Sequence, residues 1–279
     1  MRYLPYLFLI GFFCTLAGLQ PAGAQVVGEY LGDESQLYAE VKQVNQFFRR
    51  FNGEEDTEGN RYYARDREYR SEKLRRNYLT TLFDNQNRNI PKDRKLQFIN
   101  DVTSGNNAEF LDFHSGKWFA EVRVTVTFEG RDQPATLFLS LQEEKVGSKW
   151  VIEKAYFAPF EALFTADTTN ERFLHPMSHE LDFMNLNKAF RNQEDVVDFT
   201  SREYRPDHLS MMLYEVRKGN MRFKTVRGVD FHFFQLNNWY FKISEFNRSG
   251  HNRGWLISDL ARVSQKQAEA LRKMIYYEN

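Results

Sequence analysis

The densest set of chemically capable side chains in this sequence is His175-Pro176-Met177-Ser178-His179-Glu180. With a helix starting near Pro176, His175 and His179 lie one turn apart and could share a metal, with Glu180 or Asp182 as a third ligand. Neither acid stands at a known metal-site spacing, and the His-Glu-x-x-His signature is absent. The plainer reading is a helix start, capped by His175 or Ser178, with Glu180 favourably placed by the dipole. Ser178 lacks the Gly-x-Ser-x-Gly elbow of a nucleophile. A second pair, Glu121 and Arg123, falls on one face of a strand and could act as an acid with its pKa modifier. Its plainer role is the wet face of a half-exposed sheet. His232 sits in an aromatic run, Phe231, Phe233 and Phe234, and reads as a packed histidine at the edge of a core. Ser249–Gly254 is a hairpin turn, not a phosphate loop. No catalytic residue, metal or cofactor is assigned.

The elements that must position these groups follow from periodicity. Ser35 or Asp33 caps a helix whose Leu37, Val41, Val44, Phe48 and Phe51 share a face, and Gly53 ends it. Glu54–Arg70 is a polar link rich in Arg and Tyr, without the pattern of a calcium loop. Ser71 opens a second helix (Leu74, Tyr78, Leu82), and Lys92–Thr103 is a third (Leu96, Ile99, Val102). The period then turns to alternation. A short strand is expected over Glu109–His114, then strands over Trp118–Phe128, Ala135–Gln142 and Trp150–Phe157. On the first long strand Trp118, Ala120, Val122, Val124, Val126 and Phe128 share one face; Phe119, Glu121, Arg123, Thr125 and Thr127 share the other. A connector leads to a helix over Met177–Phe190 and another reaching Val216. Strands follow at Met221–Val226, Val229–Gln235, Asn238–Phe246 and Gly254–Ala261. Ser264 caps a last helix with Ala268, Leu271, Met274 and Ile275 on one side. This is an α+β pattern.

Met1–Gln25 has a basic start, an apolar run from Leu4 to Leu19 and small residues at Pro21–Ala24. It reads as a secretory signal peptide, residues 1–24, cleaved after Ala24. The expected location is a bacterial periplasm or the cell exterior, with no stable membrane insertion after cleavage. Cys14 is the only cysteine, so the mature chain has no thiol chemistry and no disulfide framework. About 255 residues then remain, comfortable for two domains. Lys+Arg and Asp+Glu are 38 each, which points away from nucleic acid as a partner. Aromatics make up 16%, with 26 Phe, so the core or a cavity is unusually aromatic.

The chain also repeats itself. Phe98–Asn106, FINDVTSGN, is echoed by Met212–Asn220, MLYEVRKGN: a helix end, then a Gly where the helix stops. Phe48-Arg49 followed by Glu54-Glu55-Asp56 is echoed by Phe190-Arg191 followed by Glu194-Asp195. Arg67-Glu68-Tyr69-Arg70 is echoed by Arg202-Glu203-Tyr204-Arg205, and Trp150-Val151-Ile152 by Trp255-Leu256-Ile257. Four blocks in one order indicate a tandem duplication. Helices followed by long antiparallel strands, ending in a Trp-apolar-Ile strand, resemble the NTF2-like superfamily of α+β cones. That resemblance implies two NTF2-like units, each helices followed by a curved antiparallel sheet. They would occupy residues 25–158 and a shorter 177–262, joined by a connector over 159–176 and followed by a helix over 263–279. It also implies that fold alone does not choose between enzyme and binding module. The expectation is a non-catalytic exported protein that binds a small ligand or an envelope protein through aromatic-lined cavities or the cleft between units. Trp118, Trp150, Trp239 and Trp255 are its candidate walls, with Glu121 and Arg123 as polar contacts; packing in a core is the plainer role of each Trp. The rival is an isomerase or hydrolase with a carboxylate in the first cone, and a third possibility is a structural component of an envelope assembly.

Overall fold

A computed structural model describes residues 44–56, 59–145, 147–163, 172–192, 196–201, 204–249 and 252–278. The expected leader and its cleavage point, the start of the first helix, and the echoes at Glu194-Asp195 and Arg202-Glu203 lie outside these residues. Helix α1 covers residues 44–52 and buries Val44, Phe47, Phe48 and Phe51. Gly53 stops it at φ +69°, a left-handed turn that carries no Cβ penalty for glycine. Helix α2 (Glu72–Thr81) starts at Ser71, whose hydroxyl accepts the Leu74 N–H at 3.3 Å. Helix α3 (Lys92–Thr103) buries Phe98, Ile99 and Val102 and leaves Leu96 exposed, so its apolar face is turned towards Phe98.

The short strand expected over Glu109–His114 does not form. Asn52 binds both the N–H and the C=O of Leu111, at 2.8 and 2.9 Å, and the Trp118 indole donates to the Phe113 carbonyl at 2.8 Å. Side chains satisfy this backbone in place of a ladder. Strands β1 (Trp118–Phe128), β2 (Arg131–Glu144) and β3 (Gly147–Tyr156) then form a meander, followed by α4 (Ala158–Leu163). Where one helix is expected over Met177–Phe190, two 3-10 turns stand, Pro176–Leu181 and Met184–Lys188. Asp182 and Phe183 break them apart at φ +47° and +53°. Helix α5 (His208–Lys218) is capped by Gly219 at φ +80° and passes straight into β4 (Met221–Phe233). At the similar stretch Phe98–Asn106, Ser104 is the cap, Gly105 sits one residue later, and a loop intervenes before β1. The two strands expected on either side of Gly228 are one strand. Bulges in its pairing with β1, one at Arg227, absorb the irregularity. Strands β5 (Trp239–Phe246) and β6 (Gly254–Arg262) and helix α6 (Gln265–Ile275) complete the chain. Ser264 and Gln267 form a full capping box at the start of α6.

All six strands form one antiparallel sheet in the order β3-β2-β1-β4-β5-β6. The α+β class holds, but one sheet stands where two were expected. The reason lies at the centre: β1 and β4 pair from Trp118↔Phe233 to Phe128↔Met221, so neither meander keeps its first strand as an open edge. The order is therefore a palindrome about β1 and β4, with Trp150 and Trp255 on the two edge strands. Both of those rings pack against Phe231 of β4, at centroid distances of 6.2 and 4.9 Å. Trp150 stands three strands from Phe231, roughly 14 Å along a flat sheet at about 4.8 Å per strand. The contact requires the sheet to curl towards the helices.

The helices of the first half lie on strands of the second. Phe47 and Phe51 of α1 meet Phe241 of β5 at 6.2 and 6.0 Å, and Phe98 of α3 meets Trp239 at 5.3 Å. The segment after α2 docks on β6 by backbone: Ile257 N–H to Leu82 O at 2.7 Å and Asp84 N–H to Ile257 O at 3.0 Å. Helices α4 and α5 close the other end of this face over Val124, Val126, Phe128 and Met221. Helix α6 covers part of the opposite face, where Tyr276 packs with Phe119 and Phe138. Among the described residues no helix is long and apolar enough to cross a membrane.

Candidate functional site

The alternation of β1 holds as expected and sends Trp118 to one face and Glu121 and Arg123 to the other; the remaining three tryptophans stand on β3, β5 and β6. Trp118 is buried among Phe48, Phe113 and Phe233 on the helix side of the sheet. Trp239 and Trp255 are buried in the same core, and Trp150 lies half open at its rim, edge-on to Trp118. The helix-side face of the sheet is thus filled by aromatic rings. Glu121 and Arg123 project from the opposite face.

There they join a hydrogen-bonded network across four strands. The register places Glu121 opposite Asp230, and Asp230 opposite Ser244. Arg123 pairs closely with Asp230 and reaches Glu121 at 3.4 Å; Ser244 donates to the other Asp230 oxygen and touches Ser258 at 2.8 Å. The His232 Nε2–H donates to Glu121 at 2.8 Å, and Nδ1 lies 2.9 Å from the Tyr240 hydroxyl. Gly228 makes room for this arrangement: a Cβ there would stand 2.8 Å from Arg123 Nη2. Burial pushes the Asp230 carboxyl up, but hydrogen bonds from Arg123 and Ser244 outweigh it and hold the group below the ordinary carboxylate range. Glu121 is likewise raised by burial and lowered further by His232 and Arg123, ending below its ordinary value. Burial drives the Tyr240 phenol strongly upward, so it stays protonated.

These directions fix a pH dependence. A carboxyl whose pKa is depressed on folding stabilises fully above its ordinary value and loses that contribution as pH falls through the folded value. The double variant Glu121→Gln/Asp230→Asn should therefore be less stable than the wild type at pH 7, with the gap closing below about pH 4. Urea midpoints across that range check this; an unchanged gap at pH 3 would show that the network carries no ionic stabilisation. As chemistry, the cluster is self-satisfied. Both oxygens of Glu121 and of Asp230 already accept hydrogen bonds, so neither acts as a base without breaking the network. Asp230, Tyr240, Ser244 and Ser258 were missed by sequence reasoning, because only the register of β1 with β4, and of β5 with its neighbours, brings them to Glu121.

The His175 segment takes its plainer role. The His175 ring accepts the Met177 N–H at 3.1 Å, Ser178 donates to His175 O at 2.6 Å, and His179 contacts Pro176 O at 3.0 Å. Among the described residues no group of three His, Cys, Asp or Glu could hold a metal.

An open, aromatic-lined cavity does exist, and none of the four tryptophans lines it. It measures about 740 Å³ and is walled by Tyr62, Tyr63, Tyr69 and Phe110, with Phe48 and Phe113 behind them. Arg49, Arg61, Arg70, Asn45, Asn52 and His114 line it as well, together with the carboxylates of Glu54 and Asp112. Residues 61–64 and 69–70 of the link form the outer wall and are stitched down. Glu55 and Arg61 make an isolated bridge, Tyr62 N–H donates to Glu54 O at 2.9 Å, and Arg70 N–H donates to Gly53 O at 2.9 Å. Asp66 accepts the Tyr63 N–H at 2.7 Å. Glu55, fully buried, takes Arg49 and Arg50 at 2.8 Å each. Compared with known proteins, the chain matches no family model, no curated protein and no solved structure.

Proposed function

We propose that this chain is an exported, non-catalytic binding protein whose ligand site is the tyrosine- and arginine-lined cavity beside α1. The observation that carries the proposal is the contrast between two regions. The helix side of the curled sheet, where a cone would hold its ligand, is packed with Phe and Trp. The cavity, by contrast, has the volume and the mixed apolar and polar lining of a small-molecule site. Its outer wall is exposed yet held by backbone hydrogen bonds, so little ordering cost attaches to binding. The fold is inferred to be a duplicated NTF2-like arrangement in which the two repeats share one sheet, and the palindromic strand order supports that reading. The leader at Met1–Ala24 supports export to the periplasm or cell exterior.

Native mass spectrometry of the full chain purified from its source tests the binding reading. A retained small molecule that disappears in a Tyr62→Ala/Tyr69→Ala variant of unchanged stability is the expected result. A retained molecule that survives those substitutions, or none under conditions preserving weak complexes, would overturn it. An enzyme reading has one observation in its favour, the partly exposed Glu121 bound to His232, whose other ring nitrogen meets the Tyr240 hydroxyl. An envelope-assembly reading has another, the exposed Phe173, Leu181, Met184 and Phe190 around the two 3-10 turns.

A further inference from the structure

We propose that two copies of this chain join through the outer edge of β3 into one continuous antiparallel sheet, an interface independent of the cavity. The palindromic sheet has two outer edges, and they differ. On β6, Ile257 exchanges backbone hydrogen bonds with Leu82 and Asp84, so the chain covers that edge itself. On β3 (Gly147–Tyr156) the ladder runs to β2, and no described residue offers the other side a backbone partner. The tryptophans agree: Trp255 on β6 is 7% exposed, whereas Trp150 on β3 is 37% exposed and Ile152 44%. A long, uncovered edge with exposed apolar side chains is a template for a further strand.

The residues of that edge select a second copy as its occupant. A two-fold axis through Val151, perpendicular to the sheet, sets Trp150 against the partner's Ile152 and Lys149 against the partner's Glu153. The faces match. Trp150 and Ile152 stand opposite Leu141 and Leu139 of β2 on the helix side, while Lys149 and Val151 stand opposite Gln142 and Ser140 on the other. A ring against a β-branched side chain and a cation against a carboxylate are both favourable cross-strand pairs, and the symmetry makes each of them twice. Within its own chain Lys149 holds Glu144 at 2.8 Å with both side chains exposed, a weak pair that leaves ammonium donors to share. Glu153 also bonds Tyr276, and a carboxylate keeps further acceptor sites. Glu153 is the residue skipped between Ile152 and Lys154 in the register with β2. That bulge ends the regular edge, so its contact with Lys149 is made by side chains. The stretch of β4 before its pairing with β5 is open as well. There Arg222, Lys224 and Arg227 would face the same cations of a second copy, which disfavours pairing.

Sedimentation equilibrium of the full chain tests the proposal, and a concentration-dependent monomer–dimer equilibrium is expected. Val151→Lys sets two ammonium groups against each other at the axis. It should weaken the dimer by about tenfold or more while leaving the urea midpoint of the dilute monomer unchanged. Lys149→Glu and Glu153→Lys should each weaken it by about tenfold, and the double variant should restore it, because the same pair is then made in reverse. A second measurement does not depend on the folding of the lysine variant. In a Cys14→Ser background, Val151→Cys should link two chains on mild oxidation. Lys149→Cys should not, since that position lies opposite residue 153 of the other copy and out of disulfide reach. A chain that stays monomeric up to about 100 µM would overturn the proposal. So would a dimer that Val151→Lys leaves intact, or linking as efficient at residue 149 as at 151.

Discussion

Phe98→Ala is expected to lower the stability of the full chain by about 3–5 kcal/mol. Phe98 is fully buried, and its ring meets Phe51, Phe83, Trp239 and Phe241 at 6.2, 6.0, 5.3 and 5.9 Å. It thus touches α1, the end of α2 and β5, and the cavity left by its removal cannot be closed from one side. Against a typical total of about 5–15 kcal/mol, that is a large fraction. The effect should also be global. Trp118 and Trp150 report on the first half of the chain and Trp239 and Trp255 on the second, and their joint fluorescence transition should shift as one step together with the circular-dichroism transition of the helices. Phe98→Leu should cost markedly less. A variant in which the tryptophan transition stays put while helix signal is lost would mean that the two halves are held separately, and would sink this account of the core.

Arg75→Ala is expected to cost about 3–4 kcal/mol, through lost hydrogen bonds and packing. Arg75 is buried in α2 without a carboxylate partner among the described residues. Its Nε donates to the Phe51 carbonyl at 3.2 Å, its Nη2 donates to the Glu109 carbonyl, and its guanidinium lies 4.2 Å over the Phe110 ring. Burial first, then the charge of Arg70, pushes its pKa down to about 10. The guanidinium remains charged at neutral pH and ties the end of α1, α2 and the loop before β1 together. Alanine leaves two carbonyls without their donor and a gap beneath Phe110. Arg75→Met, which restores the stem but no donor, should recover part of the loss, and Arg75→Lys should not match the wild type, because an ammonium lacks the planar fork. Urea midpoints of the three variants check the order. An Arg75→Ala variant within 1 kcal/mol of wild type would show that these contacts are dispensable.

Arg75 also bears on the candidate cavity. The guanidinium groups of Arg75 and Arg70 both lie over the Phe110 ring, at 4.2 and 4.5 Å, and a Cβ at Gly53 would press on Arg75 Cγ at 2.8 Å. Loss of Arg75 is therefore expected to loosen the wall as well as the core.

The sequence by itself determined what local spacing can encode. The α+β class, the bounds of α3 at Lys92–Thr103, the caps at Ser71 and Ser264, and the two faces of β1 all follow from side chains two to four residues apart. Of the candidate site, Tyr69 and Arg70 stood out within a repeated motif, and Glu121 and Arg123 by sharing a strand face. Tertiary structure alone decided the rest. Whether Gly228 ends a strand or sits beside a bulge depends on β1 lying next to it. That Glu121 faces Asp230 depends on a register between residues more than a hundred positions apart. That Trp118 and Trp239 are core depends on α1 and α3 folding across onto the second meander. Repetition in the sequence suggested two bodies, but two curled half-sheets with open first strands satisfy their backbone groups, and bury their rings, by becoming one.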